Sequence, residues 1–151
     1  MNILELFMKL FLTFISLVLS TQCVLASNKT QTNGFTIYHN ALTTDSLSPQ
    51  SASIYKIKRS KGRGLVNISV MLNGENNLSK PVSANVSLSS KNLIGQKRNL
   101  PLREIREGIA IYYIAEFPVG HRERLVFNIE VTPVGSSYPL KATFQKEFYT
   151  R

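Results

Sequence analysis

The sequence predicts an all-β fold, a sandwich of two antiparallel sheets, and three observations carry that expectation. Apolar and polar residues alternate over several short runs, as where Val66, Ile68, Val70 and Leu72 interleave with Asn67 and Ser69, and a period of two marks a half-buried strand. Turn residues separate these runs at intervals of roughly ten residues, which suits a sandwich. One run, from Ile109 to Phe117, is apolar in both of its alternating sets, Ile109/Ile111/Tyr113/Ala115/Phe117 and Ala110/Tyr112/Ile114. That is the pattern of a central strand covered on both faces.

The chain has 151 residues, and residues 1–26 read as a secretory signal. Met8-Lys9 is a short basic start, Leu10 to Leu19 is almost unbrokenly apolar, and Val24-Leu25-Ala26 offers small residues for cleavage after Ala26. The apolar run is short for a membrane span and is followed by Ser20, Thr21 and Gln22. Glu5 is unusual in such a region, which makes Met8 an alternative start. Cys23 is the only cysteine. A lipoprotein site wants a small residue before the cysteine, and Gln22 stands there, so removal with the signal is the preferred reading over lipidation.

Residues 27–151 then form a single domain, with no cysteine for a disulfide or a thiol nucleophile and no transmembrane segment. Removing Lys9 and Glu5 leaves 17 basic and 8 acidic residues, so the formal charge of +9 belongs to this domain. Such a charge favours an anionic surface or another acidic partner.

Ser27 to Asn33 is polar and reads as a loose lead, and Gly34 to Asn40 as the first strand. In the long connection from Ala41 to Gly64, Ser48-Pro49 looks like an N-cap with proline at the first helical position, predicting a short helix to about Tyr55. The run Lys56-Ile57-Lys58-Arg59-Ser60-Lys61-Gly62-Arg63 is basic, but without interleaved aromatics it reads as a solvated loop and argues against nucleic acid. Leu65 to Leu72 and Val82 to Leu88 are half-buried strands, with Asn73-Gly74 opening the loop between them and Pro81 entering the second. Asn92 to Gly95 leads to a strand from Leu100 to Ile105. Glu107-Gly108 then turns a tight hairpin into the central strand, which Pro118 ends. Gly120-His121-Arg122 turns into a strand from Leu125 to Val131, and Leu140 to Tyr149 supplies the last. About seven strands and one small helix match an immunoglobulin-like sandwich.

His39 and His121 lie far apart with no Cys, Asp or Glu at a ligand spacing, so no metal site and no cofactor is predicted. Arg103, Glu104, Arg106 and Glu107 crowd the hairpin mouth. With Tyr112, Tyr113, Glu116, His39, Asn40, Arg59, Lys61 and Arg63 they are the candidate binding residues. Two of Glu104, Glu107 and Glu116 would be the minimum for acid–base work on a glycosidic bond, while cross-strand ion pairs are the plainer role. Phosphate loops and nucleophile elbows are absent from the sequence.

Several strings resemble the bacterial domain of unknown function 4426 family. They are Arg59-Ser60-Lys61-Gly62-Arg63-Gly64-Leu65-Val66-Asn67-Ile68-Ser69-Val70, Asn92-Leu93-Ile94-Gly95-Gln96, Arg103-Glu104-Ile105-Arg106-Glu107-Gly108 and Ile111-Tyr112-Tyr113-Ile114-Ala115-Glu116-Phe117-Pro118-Val119, with Tyr38-His39-Asn40-Ala41 and Phe148-Tyr149-Thr150 nearer the ends. The resemblance implies an exported, periplasmic protein of Gram-negative bacteria with an immunoglobulin-like fold and no agreed catalytic residues. It also implies that an acidic residue often follows the hairpin glycine, where this chain has Ile109. The functional expectation is a non-catalytic binding or accessory module for an envelope component or partner protein. The alternative is a periplasmic hydrolase using Glu104, Glu107 or Glu116.

Overall fold

The computed structural model describes residues 28–75 and 78–151. The expected signal peptide, with Cys23 and the cleavage site, lies outside them. Two antiparallel sheets face one another, as the alternation predicts. Strands β1 (Lys29–Thr32), β2 (Phe35–Thr43), β3 (Arg63–Asn73), β4 (Ser79–Pro81), β7 (Arg103–Glu107) and β8 (Ala110–Pro118) make the first sheet. Its order is β1-β2-β3-β8-β7, with β4 lying against the Met71–Asn73 end of β3 beyond the reach of β8. The second sheet, in the order β10-β9-β5-β6, contains β5 (Ala84–Asn92), β6 (Lys97–Asn99), β9 (Glu123–Pro133) and β10 (Leu140–Phe148).

The ten strands among the described residues exceed the expected seven for local reasons. Lys29–Thr32 is a strand and not a loose lead, because Asn33 and Gly34 both take positive φ (47° and 77°) and close a two-residue hairpin onto β2. Of the expected strand from Leu100 to Ile105, Arg103–Ile105 is the start of β7, and Leu100 to Leu102 crosses between sheets. Lys97–Asn99 pairs with β5, Pro101 cannot donate to a ladder, and pairing with β8 begins only at Arg103. Ile109 belongs to the turn and not to the central strand. Gly108 at φ 56° makes the hairpin loop two residues long, Glu107 pairs with Ala110, and Ile109 is left 85% exposed.

The inward faces supply the core. Ile37, Val66, Ile68, Val70, Leu125, Phe127, Ile129 and Val131 are all buried. Phe127 stacks on Phe144 at 4.9 Å between centroids, while Phe117 meets Phe127 at 5.5 Å and a tilt of 58°. Strand β8 sits between β3 and β7, and its inner residues Ile111, Tyr113, Ala115 and Phe117 join this core.

The other face of β8 is apolar because a second, smaller cluster covers it. The connection after β2 makes one 3-10 turn (Thr44–Ser46) and then helix α1 (Pro49–Ile54), capped as expected by the Ser48 hydroxyl, which accepts from the Ser51 N–H at 3.0 Å. Helix α1 ends on Lys56 at φ 53°. The Ile57 and Lys56 amides donate back to the Ala52 and Ser53 carbonyls at 2.8 and 3.2 Å, the double bond of a left-handed helix C-terminus. This reversal drives Ile57 down onto the sheet, where it packs with Leu65, Ile114, Leu42, Leu47, Tyr55, Ile105 and Tyr112. The buried Thr44 hydroxyl holds this strap, residues 44–62: its oxygen accepts from the Ser60 N–H at 2.9 Å, and its proton is shared between the Lys58 and Ser60 carbonyls at 2.9 and 3.1 Å.

Candidate functional site

The outer face of the first sheet is where these elements converge on a groove. Register aligns Asn40 of β2, Asn67 of β3, Ile114 of β8 and Arg103 of β7 in one row across the sheet. Leu42, Leu65 and Glu116 form the row under the strap, and Tyr38 and Ser69 pair on the open side. Beneath the strap is a cavity of about 250 Å³ walled by Leu42, Leu47, Ile57, Leu65, Ile105 and Ile114, with Asn40, Asn67, Tyr55, Glu107 and Tyr112 as its polar groups. A second depression of about 310 Å³ continues from it along Asn28, Tyr38 and Ser69, and Asn40, Asn67 and Tyr112 line both. The Asn67 Oδ1, on the shared stretch, is buried and has no hydrogen-bond partner among the described residues.

The candidate residues divide between this groove and other places. Asn40, Tyr112 and Glu107 line it. Glu107 accepts from the Tyr55 hydroxyl at 2.6 Å, and this bond pushes the Tyr55 phenol above its ordinary range. Arg103 donates to the Tyr55 carbonyl, which ties the strap to β7 beside the groove, and lies 3.7 Å from Glu116, which also faces Arg63 at 3.8 Å. Glu104 and Arg106 project to the other side of β7, paired with each other at 2.6 Å, and Arg106 also donates to the Ser83 hydroxyl at 2.8 Å. Arg59 donates to the Asp45 carbonyl at 2.8 Å within the strap, and Lys61 is exposed at the strap's end.

Two candidates are core groups, although His39 also borders the second depression. Tyr113 is buried between the sheets, and its hydroxyl accepts from the Ala84 N–H at 2.8 Å, tying the first sheet to the start of β5. Burial pushes its phenol above the ordinary value, with Glu104 adding to the shift. His39 is 3% exposed and stacks on Phe144 at 4.5 Å, with Thr30 Oγ1 3.2 Å from its Nε2. Desolvation holds its imidazole below the ordinary value of 6.5. Both sit at inward positions of their strands, so alternation sends them to the core.

Asn67, Tyr38, Tyr55 and the apolar wall are not among the sequence candidates. Alternation places Asn67 on a wet face, but nothing local to β3 says that the connection between β2 and β3 will fold back and roof it. Another depression, about 770 Å³, crosses the outer face of the second sheet, where Ser87, Ser89, Asn128 and Thr143 face outward. Lys97, Glu130 and Lys141 stand beside them, and no aromatic ring lines the depression. The smaller cavity joins apolar walls to a few polar atoms, the combination that binds ligands, and is the better candidate.

A family profile described as domain of unknown function (DUF4426) matches residues 29–151. The chain belongs to the DUF4426 family. A solved DUF4426 family protein from Pseudomonas aeruginosa PAO1 is 32% identical to this member, with a TM-score of 0.70 over 83% of this chain and 97% of the other. The FetP protein of uropathogenic Escherichia coli strain F11, recombinantly expressed in the periplasm, shares the fold at 10% identity and a TM-score of 0.58, covering 83% of this chain and 95% of that one. A copper-bound variant of the same FetP gives 11% identity and a TM-score of 0.55 over 83% and 92%. No curated protein matches the DUF4426 member. Among the described residues no three His, Cys, Asp or Glu side chains come together as a metal site would need, and no helix is long and apolar enough to cross a membrane.

Proposed function

We propose that this DUF4426 member is a non-catalytic binding or accessory module of the periplasm, holding an envelope component or a partner protein in the groove on the outer face of its first sheet. The observation that carries the reading is Asn67, which lines both depressions and whose buried Oδ1 has no partner among the described residues. A buried acceptor left unpaired is costly, and a ligand N–H or O–H donated to it would relieve that cost. Its surroundings suit a ligand with an apolar part: Leu42, Leu65 and Ile114 receive it, and Tyr112 and Asn40 orient its polar end. The periplasmic assignment draws on the secretory character of residues 1–26 and on the fold shared with FetP. FetP's copper is not carried over to this chain. Of the three carboxylates that a hydrolase would draw on, only Glu107 lines the cavity, and it is engaged by Tyr55.

The test is a photo-crosslinking residue at position 112 in protein exported by a Gram-negative host. It should capture one periplasmic or envelope component, and Asn67→Ala in the same background should lose that capture while the melting temperature stays close to that of its parent. Equal capture with and without the Asn67 side chain would remove the groove from the function.

A further inference from the structure

We infer that the end of the sandwich opposite the β7–β8 turn docks on an anionic phospholipid surface, with Leu93 and Ile94 inserted and lysines on the lipid phosphates. Three strand ends meet there. Asn92 pairs with Leu125, setting the β5–β6 tip beside the start of β9, and Phe148 pairs with Glu123, bringing Tyr149 to Arg151 to the other side of that start. The Thr150 N–H donates to His121 Nδ1 at 3.2 Å, and the Val119 N–H donates to the Gly62 carbonyl at 3.0 Å, which draws in Lys61.

The tip presents apolar side chains on a rigid base. Leu93 is 73% and Ile94 79% exposed. The turn beneath them is held by Asn92, whose Oδ1 accepts from the Gln96 N–H at 2.9 Å, whose Nδ2 donates to Gln96 Oε1 at 2.8 Å, and whose carbonyl accepts from the Gly95 N–H at 3.1 Å. Two large apolar side chains held out in water at a fixed loop tip point to a surface that receives them.

The charge around the tip is positive and uncompensated. Two acids of this end are already taken, Glu123 by Arg98 at 3.0 Å and Glu147 by Arg124 at 2.8 Å. Lys91 and Lys97 flank the tip and are exposed, as are Lys61, Arg122 and Arg151, and none of the five forms a salt bridge among the described residues. A nucleic acid or an acidic protein loop would answer the charges and leave Leu93 and Ile94 wet. An anionic bilayer answers both, taking apolar side chains at the acyl boundary and cations at the phosphates, with the exposed Tyr149 ring suited to the headgroup layer. This surface is distinct from the groove.

Cosedimentation of the purified protein with vesicles tests the inference. Binding is expected to phosphatidylglycerol–phosphatidylethanolamine vesicles and not to phosphatidylcholine alone, and it should weaken as salt is raised. Leu93→Ser with Ile94→Ser should lower partitioning by a factor of roughly ten or more, and Lys91→Ala with Lys97→Ala by about fivefold per charge. The chain has no tryptophan, so Ile94→Trp introduces a unique reporter whose emission should move to the blue on anionic vesicles, whatever the other variants do to folding. Wild-type protein that ignores anionic vesicles, an unshifted emission from the introduced indole, or binding that the serine variant retains in full would each overturn the proposal, the last by reducing it to generic polyanion attraction.

Discussion

Single residues in this DUF4426 protein do work that their position along a strand assigns. Tyr113 is the clearest, since its hydroxyl is the acceptor for the Ala84 N–H at the point where the chain has just crossed between sheets. Tyr113→Phe keeps the ring and strands that N–H, so unfolding free energy from urea titration should fall by about 1–3 kcal/mol. His39 makes the stability of the domain depend on pH. Its folded value lies below the ordinary 6.5 because burial disfavours the charged ring, so the unfolded chain binds more protons between the two values. The contribution is therefore full above pH 6.5 and is lost as pH falls through the folded value. Melting temperature should drop on acidification through that window, and His39→Gln should flatten that part of the profile. A profile identical in both proteins would assign the pH response to other groups.

At the scale of elements, the charge-dense hairpin mouth has a structural explanation. Strand β7 is the free edge of the first sheet, and four of its five residues are charged, a guard against pairing with another chain. Alternation divides them as the sequence requires, Arg103 and Glu107 toward the strap, Glu104 and Arg106 away from it. The sequence did not show that Arg103 and Glu107 would both close on Tyr55. Exposed contacts of this kind are worth at most about 1 kcal/mol each, so Arg103→Ala with Tyr55→Phe should leave global unfolding close to wild type. Amide exchange at Ala52 and Ile57 should nevertheless quicken selectively, because the strap would open without the sheet. Exchange unchanged at both amides would mean that Thr44 and the apolar wall hold the strap alone.

For the whole molecule, the sandwich places a groove on the outside of one sheet and a basic, apolar-tipped end away from the β7–β8 turn. On the two proposals made above, these surfaces act together, one on a bilayer and one on a ligand. Both proposals require export. Mass spectrometry of the protein recovered from an envelope fraction should give Ser27 as the first residue, and a form beginning at acylated Cys23 would replace this reading with a lipoprotein.

The sequence by itself determined the sandwich, because period-two alternation at Val66 to Leu72 and Leu125 to Val131 commits one face of each strand to a core whatever the neighbours are. It also determined the Gly108 turn and the Ser48 cap, which depend on side chains within a few residues of each other. The Asn33-Gly34 turn was legible by the same local chemistry, though polar composition masked it. Tertiary structure alone decided where each strand goes: Lys97–Asn99 and Arg103–Glu107 lie in different sheets although six residues separate their starts. It alone decided that Asn67 and Tyr112 share a groove with Tyr55 and Glu107. Those contacts join positions remote along the chain, and the alternation that says which face a residue takes carries no information about what will cover that face.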